Sequence, residues 1–417
     1  PKLSPPFSEA DPWSPKPAPA KPLTDLDFRS GARIEELNQL IQEYEARNVG
    51  AIRDAPELHQ AKDRVFSLLA LAQRSDPRLP VVNRYLLLSG GVQQCSVHLN
   101  VGRVPVLSPG TDYDAAFTLL VPILNAAGVP VTLDMTQSPV GHTRLSLQPF
   151  DPAVVNLWSE LGDEEAYLAA DRVSEWFFRT LSTCAEDTRV ERRSGVVTSV
   201  IVCAGPLRVL YDVIPVVAFR GWPEVAQPWL TQTHFWDGKL QDEEVAGGFY
   251  LLPSSGNNWR LAFSASELNL RRMLPLPLAW AFRAAAAAIS GGGLLGGGVG
   301  PYHLFTLALW SCERLPNSFL AQEENAAHAM LGLLDDLLAS LVGRQLPSYF
   351  LPEWNLLECL SWTALERLAH EVARVRAKPA EHLRQAVERA KEAKRVARAL
   401  REDSGWLHRS EARNTKQ

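Results

Sequence analysis

Lysine is nearly absent from the middle of this sequence: between Lys62 and Lys378 only Lys239 occurs. The cations available to neutralise a polyphosphate there are therefore few, although several arginines remain. A formal net charge of -5 also excludes a global basic field of the kind that drives non-specific nucleic-acid binding. Cysteine is sparse too. Cys95, Cys184, Cys203, Cys312 and Cys359 lie far apart without paired spacing, which argues against a disulfide scaffold and for a reducing compartment. The proline-rich start lacks the apolar core of a signal peptide.

A long apolar run is missing as well. Met273 to Val299 is the only stretch that approaches a span, and about twenty predominantly apolar helical residues are needed to cross a bilayer core. Arg283 interrupts it, Pro275 and Pro277 break its start, and Gly291-Gly292-Gly293 with Gly296-Gly297-Gly298 fills its end. An arginine near mid-span costs about 2.5 to 3.5 kcal/mol on insertion scales. The better reading is a helix of a soluble lobe from Leu278 to Ile289, followed by a flexible glycine-rich connection.

What is present suffices for a sizeable core: 417 residues can build two lobes that share an interface. Residues 1–23 read as a disordered proline-rich tail, which can present an extended ligand to a partner or simply lead into the fold. Residues 24–222 read as a sheet lobe with N-terminal helices, 223–400 as completing strands and a helical second lobe, and 401–417 as a flexible tail. A helix is expected from Gly31 to Tyr44, with Ile34, Leu37, Ile41 and Tyr44 on one face. A second, Leu58 to Gln73, is apolar on both faces and so expected to be largely buried. Phe117 to Leu147 reads as a meander of three strands, and Glu164 to Leu181 as a helix whose Trp176-Phe177-Phe178 packs on the sheet. Val196 to Cys203, Leu207 to Phe219, Gly248 to Pro253 and Asn258 to Ser264 read as further strands.

Chemistry concentrates between Ser89 and Pro122. Gly90-Gly91 follows the apolar run Tyr85 to Leu88, and a glycine turn lets backbone approach a phosphate. Asp112 and Asp114, one residue apart at a strand entry, share a face because side chains alternate with period two. Such a pair can hold a hard cation such as magnesium or manganese, which takes oxygen ligands and keeps substrate phosphates in its shell. Asp212, within the strand-like Val209 to Val217, supplies a third carboxylate. An isolated Asp-x-Asp is otherwise an ordinary solvated strand end.

The order of helix, strand, Gly-Gly, strand with Asp-x-Asp, hairpin, helix and strand with Asp resembles the nucleotidyltransferase fold of the male-abnormal-21 family, which includes cyclic GMP-AMP synthase. Phe249-Tyr250-Leu251-Leu252-Pro253, Trp259-Arg260-Leu261-Ala262-Phe263-Ser264, Pro301 to Glu313 and Leu346 to Pro352 look like the family's signature segments. The resemblance implies an α+β, bilobal nucleotidyltransferase-like fold with a mixed or antiparallel central sheet and a helical second lobe. By residue, Gly90 and Gly91 match the synthase's Gly-Ser loop, and Asp112, Asp114 and Asp212 its metal-binding acids, which are the candidate catalytic residues. Arg260 and Tyr302 match its nucleotide-contacting arginine and stacking tyrosine. Each has an ordinary alternative: Arg260 as the partner of an acid, Tyr302 as a core residue.

Departures from the synthase pattern matter. Gly91 stands where the synthase has Ser, and Pro301 and Phe305 stand where it has Ser and Lys around the tyrosine. No Cys or His lies between Leu278 and Pro301, where the synthase carries its zinc ribbon, so no double-stranded DNA partner is expected. His303 and Cys312 lack two further ligands of metal spacing and read as core residues. The basic helix Pro379 to Arg401 can touch anionic lipid peripherally, or be a solvated helix packed on the second lobe.

Segments such as Pro22 to Phe28, Ala61 to Leu69, Tyr113 to Pro122 and Cys312 to Pro316 look most like a vertebrate signalling member of the family. That likeness implies an intracellular adaptor, cytoplasmic or at the inner face of the plasma membrane. It also implies association with the cytokine receptor common β chain, with apoptosis on cytokine withdrawal and with T-cell migration. The alternative is a metal-dependent nucleotidyltransferase that takes nucleoside triphosphates and makes a cyclic dinucleotide or related product.

Overall fold

The strand Leu207–Arg220 organises the architecture of the computed structural model, because its two faces serve different layers. The structure describes residues 31–46, 57–81, 115–126, 129, 133–186, 188–194, 196–205, 207–290 and 299–388. In chain order the strands are β1 (Ala115–Asn125), β2 (Leu133–Asp134), β3 (His142–Leu145), β4 (Arg189–Ser194), β5 (Val197–Ala204), β6 (Leu207–Arg220), β7 (Gly248–Pro253) and β8 (Trp259–Ala262). The helices named below are α1 (Gly31–Tyr44), α2 (Glu57–Ser75), α3 (Pro152–Trp158), α4 (Ala170–Thr183), α5 (Ser264–Met273), α6 (Leu276–Ser290), α7 (Pro301–Arg314), α8 (Ala326–Gly343) and α9 (Trp362–Ala377), and residues 379–388 are helical as well.

The fold is α+β. β6 pairs with β1 in parallel and with β5 and β7 antiparallel; β7 continues through β8 and β3 to β2, and β5 continues to β4. Val209, Tyr211, Val213 and Val217 of β6 enter the main core with Phe117, Leu119 and Val121 of β1. α2 and α4 cover that face, with Phe177 fully buried and Trp176 nearly so. The alternate positions of β6 face the other way, toward a small cluster of Leu120, Val216, Tyr250, Leu252 and Ala265.

Three expectations need correction. Phe117 to Leu147 is not a meander: β1 pairs with β6 and only β2 and β3 pair with each other. β1 is apolar on both faces, as a strand covered on both faces requires. The helix expected from Glu164 begins at Ala170, because Asp163 Oδ1 accepts the backbone N–H groups of Glu165 and Tyr167 and holds a turn there. α2 is amphipathic rather than largely buried: Ala61, Val65, Leu68, Leu69 and Ala72 face the core while Leu71 is 41% exposed.

In the helical layer, α6 packs on α8, α7 and α1, and α8 packs on α9, α7 and α1. Met330, Leu331, Leu334, Leu337 and Leu341 of α8 are buried at helical spacing. Asn38 of α1 accepts the backbone N–H of Ala327 at 2.6 Å, satisfying a donor that the first turn of α8 leaves free. Met273 to Val299 contains α6, a core helix of 15 residues. It is not the sole candidate span: among the described residues Glu323–Gly343 is long and apolar enough to cross a membrane by length and composition, and half of it is buried inside the fold.

The two layers meet at Gly141, just before β3. Its φ is +75°, and the indole of Trp354 sits where a side chain would go, 2.5 Å from an ideal Cβ position. Gly141→Ala is therefore expected to cost about 1 to 3 kcal/mol through overpacking and left-handed strain together. Gly221→Ala, at φ +68° with nothing within 4 Å, should show only the backbone part. Urea denaturation midpoints of the two variants would check the difference.

Candidate functional site

Strand register places the site residues. Ser199 of β5 and Thr118 of β1 are the partners of Asp212 on β6, and Ser199 Oγ donates to Asp212 Oδ1 at 2.6 Å. Asp212 is half-buried and lies on the same face as Ile214, Val216 and Ala218, away from the main core. Across the sheet, Ala218 opposes Tyr250, Leu252 opposes Arg260, and Arg260 opposes His142. Directly opposed residues share a face, so Asp212 and Arg260 lie on one surface of the sheet. Counting strand spacings puts them roughly 15 Å apart. Gly90, Gly91, Asp112 and Asp114 lie outside the described residues; β1 begins at the residue after Asp114.

α5 follows β8 immediately and brings a second group of charges to this surface. Ala265 joins the apolar cluster on the Asp212 face, and Glu267, two residues on, is 6% exposed. The Tyr302 hydroxyl donates to Glu267 Oε1 at 3.0 Å. Burial pushes the Glu267 carboxyl up, against the hydrogen bond from Tyr302 and the positive charges of Arg271 and Arg260. Burial also pushes the Tyr302 phenol far above its ordinary value, and the negative charge of Glu267 adds to this. Tyr302 is thus a fixed donor with its ring at the junction of sheet and helices. Arg271 is drawn down by burial while Glu267 opposes that. Its guanidinium lies over the Phe305 ring, 4.5 Å from the centroid, a cation–π contact that partly replaces water.

Tyr302 is tied to an acid at the edge of the core, and the charge of Arg260 bears on Glu267, Tyr302 and His142. Sequence reasoning passed over Glu267, Arg271 and Ser199. Glu267 and Arg271 stand four apart, a spacing that usually marks an exposed helical pair, and only the apolar residues around them mark the site as interior. Ser199 was accessible by counting register back through the turn at Gly205. His303 caps α7, its Nδ1 accepting the Gly300 N–H at 3.1 Å, and Cys312 is buried.

A cavity of about 820 Å³ lies elsewhere, beside α4 and the end of α2, lined by Asp76, Arg78, Glu175, Trp176, Arg179 and Arg192 among others. Its charges are largely spoken for. Arg78 pairs with Asp76 at 2.7 Å, and Glu175 takes Arg192 and Arg179.

A mixed sheet that carries an acid on its long central strand and an arginine on the same face two strands away, with a tyrosine of the helical layer near that arginine, is the arrangement of a nucleotidyltransferase-like fold. The family model described as the Mab-21 protein nucleotidyltransferase domain matches residues 112–271, and the Mab-21 protein HhH/H2TH-like domain matches residues 297–374. The chain is 34% identical to "Transmembrane protein 102" of Bos taurus, over 92% of this chain and 96% of that protein. It is 33% identical to the protein of the same name in Mus musculus, with the same coverage. The chain belongs to the Mab-21 family.

Removing the Tyr302 hydroxyl leaves a buried carboxyl without its donor, so Tyr302→Phe is expected to cost about 1 to 3 kcal/mol. Glu267→Gln keeps an acceptor oxygen and should cost less. Chemical denaturation of both variants would check the order; equal losses would show that the hydrogen bond is not what holds Tyr302.

Proposed function

We propose that this protein is a signalling adaptor that retains a nucleotidyltransferase scaffold without using it for nucleotidyl transfer. The observation that carries this reading is the position of its one central lysine. Lys239 Nζ donates to the Phe235 carbonyl at 2.9 Å, in the segment between β6 and β7, so it is engaged away from the Asp212 surface. Nucleotidyl transfer needs cations on the triphosphate as well as carboxylates on the metals. On the described part of this face register supplies arginines alone, Arg208 four residues before Asp212 on β6 and Arg260 on β8, and Glu267 is the buried acidic neighbour of Arg260.

Likeness over almost the whole chain to proteins named Transmembrane protein 102 supports a shared role. The partner proposed from the sequence resemblance is the common β chain of cytokine receptors, engaged at the inner face of the plasma membrane. Apoptosis on cytokine withdrawal and T-cell migration are the proposed outputs. Membrane contact in this reading is peripheral, since α8 is committed to the helical core.

A second reading is favoured by the register itself, which sets Asp212 and Arg260 on one surface beside Tyr302. In that reading Asp212 joins Asp112 and Asp114 around magnesium or manganese, Gly90 and Gly91 approach the phosphates, and Tyr302 and Arg260 hold the base. A metal ion there would supply Lewis-acid stabilisation of the attacking and leaving oxygens. The protein groups would position and neutralise the triphosphate.

The adaptor reading predicts that a triple Asp112→Asn, Asp114→Asn, Asp212→Asn variant restores the cytokine-withdrawal response in depleted cells as fully as the unaltered chain does. Co-precipitation with the common β chain should be unchanged. Loss of the response at equal abundance, together with magnesium-dependent binding of ATP or GTP by the unaltered protein in calorimetry, would favour the enzyme reading instead.

A further inference from the structure

The segment between β6 and β7 crosses to the helical layer through His234, a buried side chain that the nucleotide face does not use. Both of its ring nitrogens meet acceptors. Nδ1 lies 3.1 Å from Glu313 Oε1, and Nε2 lies 2.9 Å from the Trp229 carbonyl oxygen. A carbonyl oxygen only accepts, so Nε2 carries a proton. Glu313 also receives the backbone N–H of Phe235 at 3.1 Å and the hydroxyl of Tyr349, two donors, one on each oxygen, that fit an ionised carboxylate. Nδ1 therefore carries a proton as well, and the ring is an imidazolium. Its face stacks on Trp229 with centroids 3.7 Å apart, and on Trp236 at 5.1 Å. Aromatic faces of this kind stabilise a desolvated cation.

We infer that His234 and Glu313 form a proton-dependent joint, in which the imidazolium fastens the segment between β6 and β7 to α7 and to the stretch around Tyr349, and loss of its proton loosens all three together. The groups facing the ring leave His234 as the one that changes charge. Glu313 and Cys312 come from α7, Tyr349 from the stretch before α9, and Asp237 and Lys239 from the same segment as His234. The Cys312 thiol is pushed up to about 12, by burial first and then by Glu313. The Tyr349 phenol is also raised, by burial and by its bond to Glu313, so both stay neutral. Asp237 accepts the His234 backbone N–H at 2.8 Å and adds negative charge nearby. Burial alone would lower His234, but the hydrogen bonds to Glu313 and Trp229 and the charge of Glu313 together raise it above 6.5.

The sign follows from linkage. A raised histidine contributes stability that is fully present below 6.5 and lost as pH climbs through the folded value. The joint also touches the nucleotide face. Trp222 packs on Trp229 and Phe350, and its Nε1 donates to Ser266 Oγ, next to Glu267. The inference does not depend on whether that face binds nucleotide.

Hydrogen–deuterium exchange of the full chain, corrected for the intrinsic effect of pH, tests the joint between about pH 6 and pH 9. Amides in 229–237, 310–314 and 346–351 are expected to lose protection together by roughly tenfold or more, while the centre of α8 holds. Unchanged protection in those three segments would overturn the joint. In His234→Gln the same segments should exchange without that pH step; a step equal to that of the unaltered chain would also overturn it. The unaltered chain alone decides the matter if the variant does not fold.

Discussion

A central strand buried on both faces has no position to spare, and β6 is such a strand. Val209, Tyr211, Val213 and Val217 fill the main core, so any polar group must sit on the alternate set, and Asp212 does. Moving the register by one residue would send Asp212 into the helices of the covered face and Tyr211 out of it. The pairing of β1 with β6 over almost its full length fixes that register, and the stacked rings of Phe117 and Tyr211, 5.2 Å apart, reinforce it from the core side. The placement of the acid is thus a by-product of core packing, which explains how a family can keep such a residue whether or not chemistry is done with it.

How much of this can be read in the chain depends on how local the cause is. α1 is recoverable to the residue, because Leu37, Ile41 and Tyr44 repeat at helical spacing and nothing distant alters them. β5, β6 and β7 announce themselves by β-branched and aromatic runs. The parallel partnership of β1 does not, since its partner lies some ninety residues later and no turn records the pairing. Glu267 and Arg271 are hidden for a related reason. Their spacing is that of a solvated pair, and only the arrival of α7, with Tyr302 and Phe305, makes them interior. The acids at 112 and 114 stand out in the sequence and lie outside the described residues, so the candidate site is better read from strand pattern than from geometry on that side.

Hydropathy alone is a poor guide to the helical layer at two places. Met273 to Val299 has the glycine and alanine content of a marginal span, yet its α6 is short and carries Arg283, which Glu45 near the end of α1 pairs at 2.6 Å. α8 passes a length-and-composition test for a span, and its leucines are accounted for by four surrounding helices. A helix at the centre of a bundle must be apolar around most of its circumference, the same demand that a bilayer makes. The aspartates Asp335 and Asp336 show which demand α8 meets: they pair with Arg376 of α9 and with Arg314 of α7, side chains that a lipid environment would not supply.

The ionisable groups between the layers follow one rule. Tyr302 with Glu267 and His234 with Glu313 each join an element of one layer, or of its connecting segment, to an element of another, and Arg283 with Glu45 joins α6 to the end of α1 within the helical layer. Burying such pairs costs desolvation that apolar contacts would avoid, so their net gain in stability is small, while breaking one partner is expensive. That asymmetry makes them markers of register: apolar surfaces tolerate sliding, and a buried donor without its acceptor does not. Of these groups His234 alone has an ordinary titration near neutrality, and its bonds hold it in the charged state. The contacts between the β6–β7 segment and the helical layer therefore depend on a proton in a way that the packing of α8 does not, whichever ligand or partner the Asp212 surface serves.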